Sequence, residues 1–398
     1  MKVIVAQPNK QYCNELLKAL QQQQYLARFY TLLASNKMTL LQNITPNAFK
    51  GELRKRTFHD IPPDLIHHFP TLLVYHKLMT GDITSKVKSS FKFFDQAVAK
   101  ALRREMFDLV ISYENANLYT FQAAKEQGKT TVLDLAQVHH QTIREIHEIV
   151  SLEKNLTKEK LEFVDDLKQQ ALAVTDYTLT LSGFAKSTLV DNGMAAENIF
   201  VANLGINPAL FTPKTTWNAN SKLTFLFVGT MTSRKGIDLL LKVFKELRLP
   251  NVELLLVGPM ADAKDLMQQY SEIFTYIPFL HHEDLVKYYQ KADVFVFPSY
   301  LDSWAQTVIE AMACGTPAIV TVHTGAKDAV EQGGGFVIPI NDAEALKEKI
   351  LFFVENRTAI EEMGRRAHEI AQQYTWQNYY AQIVAAIETI ANKEGIAL

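Results

Sequence analysis

The sequence predicts an α/β protein with two parallel-sheet domains, and three observations carry that reading. Short apolar strands alternate with amphipathic helices from one end of the chain to the other, as in successive βαβ units. Runs such as LTFLFV and VELLLV are continuously apolar, as strands covered on both faces must be. The length, 398 residues, suits two or three domains.

Taken in order, the first half offers strands at 3–6, 27–33, 109–112, 131–135 and 177–181. Its helices are expected at 13–23, 94–104 and 116–127, with one long charged helix around 144–173. The second half reads more cleanly, with strands at 223–228, 252–257, 274–277, 294–297 and 318–322. Helices follow at 238–247, 283–290, 307–313, 342–356 and 359–373. Between the halves, NLGINPALFTPKTTWNANSK is rich in Asn, Pro and Thr and weakly periodic, so it reads as a linker. The expected division is a first domain over 1–202, a linker over 203–222, a second domain over 223–373 and a terminal helix over 374–398.

Composition excludes several classes. The hydrophobic fraction is 47% and the charged fraction 21%, ordinary for a chain with a sizeable core. A net charge of −2 gives no global pull toward nucleic acid or an anionic membrane. Cys13 and Cys314 stand far apart, forming neither a disulfide framework nor a zinc pattern, which fits a reducing compartment. The apolar N-terminal stretch is too short for a signal peptide, and no run of 18 apolar residues predicts a spanning helix. A cytoplasmic location is therefore expected. Basic residues are concentrated from Lys86 to Arg104. That stretch reads either as a membrane-surface contact, with Phe91, Phe93 and Phe94 dipping in, or as a solvated helix face over core phenylalanines. Arg54, Lys55 and Arg56 are equally open.

The segment FLFVGTMTSRKGIDLLL runs from an apolar strand through Gly229 and a polar turn into a helix opened by Gly236. Such a junction presents unpaired backbone N–H groups and the positive end of a helix dipole. Arg234 and Lys235 beside it make a site suited to phosphate. Alone, it could equally be an ordinary βα turn with solvated basic side chains. In FVFPSYLDSWAQTVIEAMACGTPAIV a strand ends at Pro298, and Asp302 and Glu310 are eight residues apart. Asp302 should sit on the loop and Glu310 about one turn into the helix, both facing the cleft at the strands' carboxyl ends. The amides of Ser303, Trp304, Ala305, Gln306 and Thr307 open that helix and can meet a diphosphate. The bland alternative makes Asp302 a helix cap and Glu310 a solvated helix residue.

Together the pieces VGTMTSRKG, DSWAQTVIE and EAMACGTP, in that order and spacing, resemble the retaining glycosyltransferases of the GT-B fold, family 4 (glycosyl transferases group 1). The resemblance is strong from Leu223 to Gly335 and weaker before it. It implies two Rossmann-like domains facing each other across a cleft, with a C-terminal helix crossing back to the first domain through Ile383, Ala386, Ile387 and Ile390. It also implies roles. Lys235 looks like the lysine that grips the diphosphate of a nucleotide sugar, Glu310 like the acid that binds the ribose, and Asp302 stands where a glutamate usually contacts the donor sugar. Gly229 and Thr230 line the donor loop, and backbone groups near Ile277 meet the base. His139, or His140 beside it, resembles the family's active-site histidine. Two features depart from the pattern: Thr230 replaces an arginine, whose charge Arg234 can supply, and the first βα loop, PNKQYC, lacks a glycine-rich stretch.

The implied reaction moves a sugar from a nucleotide-diphosphate donor to a hydroxyl of a glycan or lipid-linked acceptor, in cell-surface polysaccharide or lipopolysaccharide synthesis. Basic side chains, not a metal, would stabilise the leaving phosphates. No further cofactor is expected. Alternatives are a non-catalytic sugar-nucleotide-binding subunit and a nucleotide-sugar epimerase.

Overall fold

The computed structural model describes residues 1–37, 56–71, 83–150, 152, 158–217 and 222–398. In these, two wholly parallel sheets form. The first contains β1 (Val3–Ala6), β2 (Leu26–Thr31), β3 (Ile66–His68), β4 (Leu109–Tyr113), β5 (Thr130–Leu135), β6 (Tyr177–Thr180) and β7 (Ile199–Val201), in the order β3-β2-β1-β4-β5-β6-β7. The second contains β8 (Leu223–Val228), β9 (Val252–Val257), β10 (Thr275–Ile277), β11 (Val294–Phe297), β12 (Ala318–Thr321) and β13 (Gly335–Ile338), in the order β10-β9-β8-β11-β12-β13.

Each sheet reverses its winding beside its first strand, at β1/β4 and at β8/β11. In open α/β sheets that switch point opens a crevice at the strands' carboxyl ends, where ligands bind. The register Val294↔Phe225 and Phe295↔Leu226 therefore brings the loops after β8 and β11 side by side.

The helices form where apolar residues recur at helical spacing. In α7 (Ile237–Leu247), Ile237, Leu240, Leu241 and Phe244 share a buried stripe. Side chains cap several helix starts: Ser182 for α6 (Gly183–Asp191) and Thr375 for α13 (Trp376–Lys393). The terminal helix packs on α1 (Cys13–Gln22). Its Tyr379, Ile383, Ala386, Ile387 and Ile390 share a core with Cys13, Leu16, Leu17 and Leu20. Tyr25 and Tyr177 tie it further, donating to Glu388 (2.8 Å) and Glu394 (2.6 Å). Val138, Phe184 and Ala185 of the first domain join the core of the second.

The linker is fastened to the second domain. The Lys214 ammonium donates to the Ala292 carbonyl at 2.5 Å, and Arg365 lies 4.5 Å from the centre of the Trp217 ring.

Several expectations change. The single helix around 144–173 is two, α4 (His140–Ile149) and α5 (Lys158–Ala173). Val150 is extended at the end of α4, and the Leu152 amide turns back to His147 Nδ1 at 3.2 Å. The helix expected at 94–104 is α2 (Ile83–Leu102), starting earlier. Strands β3, β7 and β13, each with a single buried residue, and helix α6 are not among the expected elements.

Helix α2 carries most of the stretch from Lys86 to Arg104. Phe94 is wholly buried and meets Phe69 edge-on at 5.9 Å, while Phe91 packs against the same core. Those two rings are core residues rather than membrane anchors. Lys92, Lys100, Arg103 and Arg104 stay exposed. Arg54 and Lys55 lie outside the described residues.

Candidate functional site

Lys235 leaves β8 through a short turn, Ser233–Lys235, closed by Gly236 in the left-handed region (φ 68°). A Cβ on Gly236 would stand 2.0 Å from the Pro298 carbonyl oxygen, so only glycine lets this turn lie against the end of β11. That contact brings Lys235 to the loop bearing Asp302. The Arg234 carbonyl accepts from the Tyr300 amide (2.9 Å) and the Ser299 hydroxyl (3.1 Å), fastening the two loops. The Lys235 ammonium pairs with Asp302 Oδ2 and sits 4.8 Å over the Phe297 ring.

Asp302 has a second task. Its Oδ1 accepts from the amides of Trp304 (3.1 Å) and Ala305 (2.7 Å), bending the chain into α10 (Gln306–Ala313). Ala305 is held left-handed, at φ 65° and ψ 66°. From the other side, the Asp302 amide donates to the His323 carbonyl (3.0 Å) and its carbonyl accepts from Gly325 (2.8 Å). The expectation that Trp304 and Ala305 offer free amides is therefore corrected: the neighbouring carboxylate takes both. The amides of Gln306 and Thr307 keep no hydrogen bond among the described residues.

The charges follow from this geometry. Burial works against ionising Asp302, but the Lys235 charge and hydrogen bond, with help from Arg234 and the Trp304 amide, hold its carboxyl below the usual range. Burial lowers the Lys235 ammonium; Asp302 opposes that shift and the Arg234 charge adds to it. The Arg234 guanidinium makes no hydrogen bond or ion pair among the described residues.

Glu310 is not part of this pair, nor is it solvated. It is 3% exposed; its Oε2 accepts from the Tyr289 hydroxyl at 2.9 Å, and its Oε1 lies 3.9 Å from His282 Nδ1. Burial pushes its carboxyl up to about 7, the Tyr289 hydrogen bond offsetting part of the rise. Tyr289 and Phe297 sit in the helix and strand patterns of the sequence like any other core aromatic, so nothing there marks them as partners of Glu310 and Lys235.

The other expected residues are more dispersed. Gly229 follows β8, and Thr230 after it is exposed. The Ile277 carbonyl, expected to face a base, accepts from the Gly258 amide at 2.9 Å. Ser303 turns its hydroxyl to the Ala136 carbonyl of the first domain (2.5 Å), and Gln306 donates to the Gly205 carbonyl (2.8 Å) while accepting from the Trp304 indole (3.0 Å).

His139 is buried and caps α4: its Nδ1 accepts from the Gln141 amide at 3.3 Å, and its own amide donates to Thr188 at 3.0 Å. In the neutral ring the proton is then on Nε2. The His140 ring lies tilted against it, centroids 4.2 Å apart, and is pushed down to about 4 by burial and by the charges of Lys168 and Arg144. Both rings line a first-domain cavity with Glu114, Asn117 and Lys168. In place of a glycine-rich loop, Tyr12 reaches across and donates to Asp134 at 2.7 Å.

Gly236→Ala is expected to lower the thermal unfolding midpoint, since the left-handed turn alone costs roughly 1–3 kcal/mol without glycine and the backbone contact adds to it. Reduced thermal stability and a Lys235 amide that exchanges faster with solvent are the readouts.

Comparison with known proteins bears on the fold and on the second half of the chain. The glycosyl transferases group 1 family matches residues 213–373. A colanic acid biosynthesis glycosyltransferase, WcaL, of Salmonella typhimurium is 26% identical over 238 residues, which is 56% of this chain and 59% of that protein. The chain thus spans well under two thirds of that relative's length. In overall structure, sucrose-phosphate synthase from Thermosynechococcus elongatus superposes with a TM-score of 0.70 at 20% identity, covering 99% of this chain and 100% of that one. Anabaena Alr3699/HepE in complex with UDP-glucose superposes with a TM-score of 0.66 at 16% identity, covering 98% and 100%. Residues 213–373 thus match the glycosyl transferases group 1 family, in a chain with the two-domain GT-B fold.

Proposed function

We propose that this chain is a retaining, metal-independent glycosyltransferase. It moves a sugar, of the hexosyl type, from a nucleotide-diphosphate donor to a hydroxyl of a glycan or lipid-linked acceptor in cell-surface polysaccharide or lipopolysaccharide synthesis. The observation that carries the reading is the convergence of Lys235, Arg234 and the unbonded α10 amides at the switch point of the second sheet. The HepE structure, which holds UDP-glucose in a related fold, supports a nucleotide sugar as the ligand, and the colanic acid relative supports a polysaccharide product. The group 1 match over 213–373 favours transfer over epimerisation and over a purely binding role.

Breaking the donor's bond leaves negative charge on the departing diphosphate. Cations held in a low-dielectric, prearranged site stabilise that charge without reorganising during the reaction. Lys235 supplies one, kept in place by Asp302 beneath it. Arg234, whose guanidinium makes no hydrogen bond or ion pair among the described residues, supplies a second in a forked geometry suited to phosphate oxygens. Gln306 and Thr307 add amides at the helix start. In this reading Asp302 acts first on Lys235 and on the turn, and reaches the donor sugar only through its remaining lone pairs. Retention needs the acceptor to arrive on the face the phosphate leaves. The leaving phosphate then takes the acceptor's proton, and no protein base is required. Glu310, ionised, accepts from the ribose hydroxyls. His139, on the loop after β5 of the first domain, is the active-site histidine in this reading.

The site works at the inner face of the membrane, where the exposed cations of α2 meet anionic headgroups. Lys100, Arg103, which also pairs with Glu126, and Arg104 precede Met106 in the chain, and Met106 is 80% exposed. This contact is expected to appear as cosedimentation with anionic vesicles that high salt abolishes. Equal binding to neutral vesicles would remove it.

Lys235→Ala is expected to reduce donor turnover roughly 100–1000-fold and to weaken nucleoside diphosphate more than nucleoside. Turnover near the wild-type level refutes the phosphate role, and loss of turnover on adding a chelator refutes metal independence. The Glu310 carboxyl, raised to about 7 in the folded chain, stabilises the protein fully only below its unfolded value near 4, and that contribution is lost as pH rises through about 7. The same ionisation is expected to strengthen nucleoside diphosphate binding between pH 6 and 8. Glu310→Gln should bind roughly 10-fold more weakly with a flat pH profile; calorimetric titration at several pH values checks both.

A further inference from the structure

The loop that carries Asp302 is also the place where the second domain is bonded to the first. Ser303 follows Asp302 directly and is 8% exposed. Its hydroxyl donates at 2.5 Å to the carbonyl of Ala136, one residue past the end of β5 and three before His139. The residues around it leave little slack. A Cβ on Gly325 would stand 2.0 Å from the Ser303 carbonyl oxygen and 2.8 Å from the Ser182 hydroxyl, so three loops from two domains meet without space between them. His323, which holds the Asp302 amide, stacks on Phe184 of the first domain at 5.2 Å and 12°. At the far end of the loop Gln306 donates to the Gly205 carbonyl, and Trp304 packs on Tyr374 at 5.4 Å. Gly205 and Tyr374 are the two places where the chain crosses between domains: Ile206 donates to the Tyr374 carbonyl at 2.8 Å, and Gly205 lies against the backbone of Thr375 and Trp376.

We infer that Ser303 is a positioning residue that couples the arrangement of the two domains to the Lys235–Asp302 pair and, through Ala136, sets the His139 loop against it. The chain of contacts is short. The Ser303 hydroxyl fixes the peptide next to Asp302; Asp302 fixes the ammonium of Lys235. On the other side, Ala136 leads through Gln137 and Val138 to His139, whose amide is held by Thr188. A rotation of one domain that breaks the Ser303–Ala136 bond therefore removes the hydrogen bond that runs directly from the acid loop to the histidine loop. When the bond is made, the cation that would face the leaving phosphate and the first-domain histidine are in register. A reacting geometry displaced by about 1 Å can cost on the order of 100-fold in rate, so one buried hydrogen bond at this position suffices to gate turnover.

This inference rests on the glycosyltransferase reading, and the experiment separates the two. Ser303→Ala and Ser303→Thr are compared with wild type for donor KM, for kcat, and for donor hydrolysis without acceptor. The Ala136–Gln141 amides are followed by hydrogen exchange with and without saturating UDP, GDP or ADP. Ser303→Ala is expected to keep donor KM within about twofold while kcat falls roughly tenfold, with hydrolysis raised relative to transfer. Ser303→Thr, which restores the hydroxyl, should return most of kcat. In wild type, nucleotide bound at the second domain is expected to slow exchange at 136–141, and in Ser303→Ala it should not. A kcat for Ser303→Ala within twofold of wild type, or nucleotide-induced protection that survives the substitution, overturns the coupling. If wild type binds no nucleotide, the glycosyltransferase reading fails first and takes this inference with it.

Discussion

The buried ion pair between Lys235 and Asp302 is the interaction on which the rest of the site depends. A lysine this enclosed is costly unless it is paired, and a carboxylate beside it is costly unless its remaining lone pairs are occupied. Asp302 meets both conditions, with Oδ2 on the ammonium and Oδ1 on two amides of its own turn. Removing the acid would therefore do two things. It would strand a charge between β8 and β11, and it would release the left-handed turn at Ala305. The electrostatics and the local backbone cannot be varied independently here. One consequence bears on chemistry: an ammonium already held by a carboxylate loses little freedom when a diphosphate arrives, so the cost of ordering it is met in folding rather than in binding.

What makes the pair possible is close backbone approach. Gly236 lets the Lys235 turn lie on Pro298, and Gly325 lets the 323–325 loop lie on Ser303. Neither contact tolerates a Cβ. The parallel sheet supplies the coarse placement, by setting β8 next to β11 at the switch point, and the two glycines supply the last few ångströms. Because the 302–306 loop also reaches the first domain and both chain crossings, its shape is a property of the whole molecule rather than of one domain.

The sequence makes some of this legible, for physical reasons. Strands buried on both faces write continuous apolar runs, so β8, β9 and β11 can be read almost to the residue. Short edge strands such as β3 and β13 bury too little to write a pattern. The helix broken after Ile149 keeps helical spacing on both sides, so the extended Val150 at which it ends leaves no mark in the sequence. In the site, Lys235, Asp302 and Glu310 are visible because few other residue types could serve there. Their partners are not. Phe297 reads as one more strand residue, Tyr289 as one more helix residue, and Ser303 as a loop serine. The expectation that the Trp304 and Ala305 amides are free fails because hydrogen-bond competition inside a turn depends on where a single carboxylate points, and spacing alone does not encode that.

The two acids show how far environment overrides composition. Asp302 and Glu310 lie eight residues apart, joined by the first turns of one helix, and both are largely enclosed. Burial raises the carboxyl of each. Asp302 has a cation and two amides to oppose the rise, and its carboxyl stays low. Glu310 has one phenol and a histidine at 3.9 Å, and its carboxyl rises to about 7. At neutral pH the first is a fixed charge and the second is poised to gain or lose a proton. A fixed charge suits a part that must hold a lysine through many turnovers. A poised one suits a part that must accept hydrogen bonds from a ligand and release them again, since proton uptake lowers its hold. The same pairing of groups with opposed proton affinities marks sites where two chemical tasks are divided between similar side chains. Here the division follows from which neighbours each side chain meets, and those neighbours are set by the strand order.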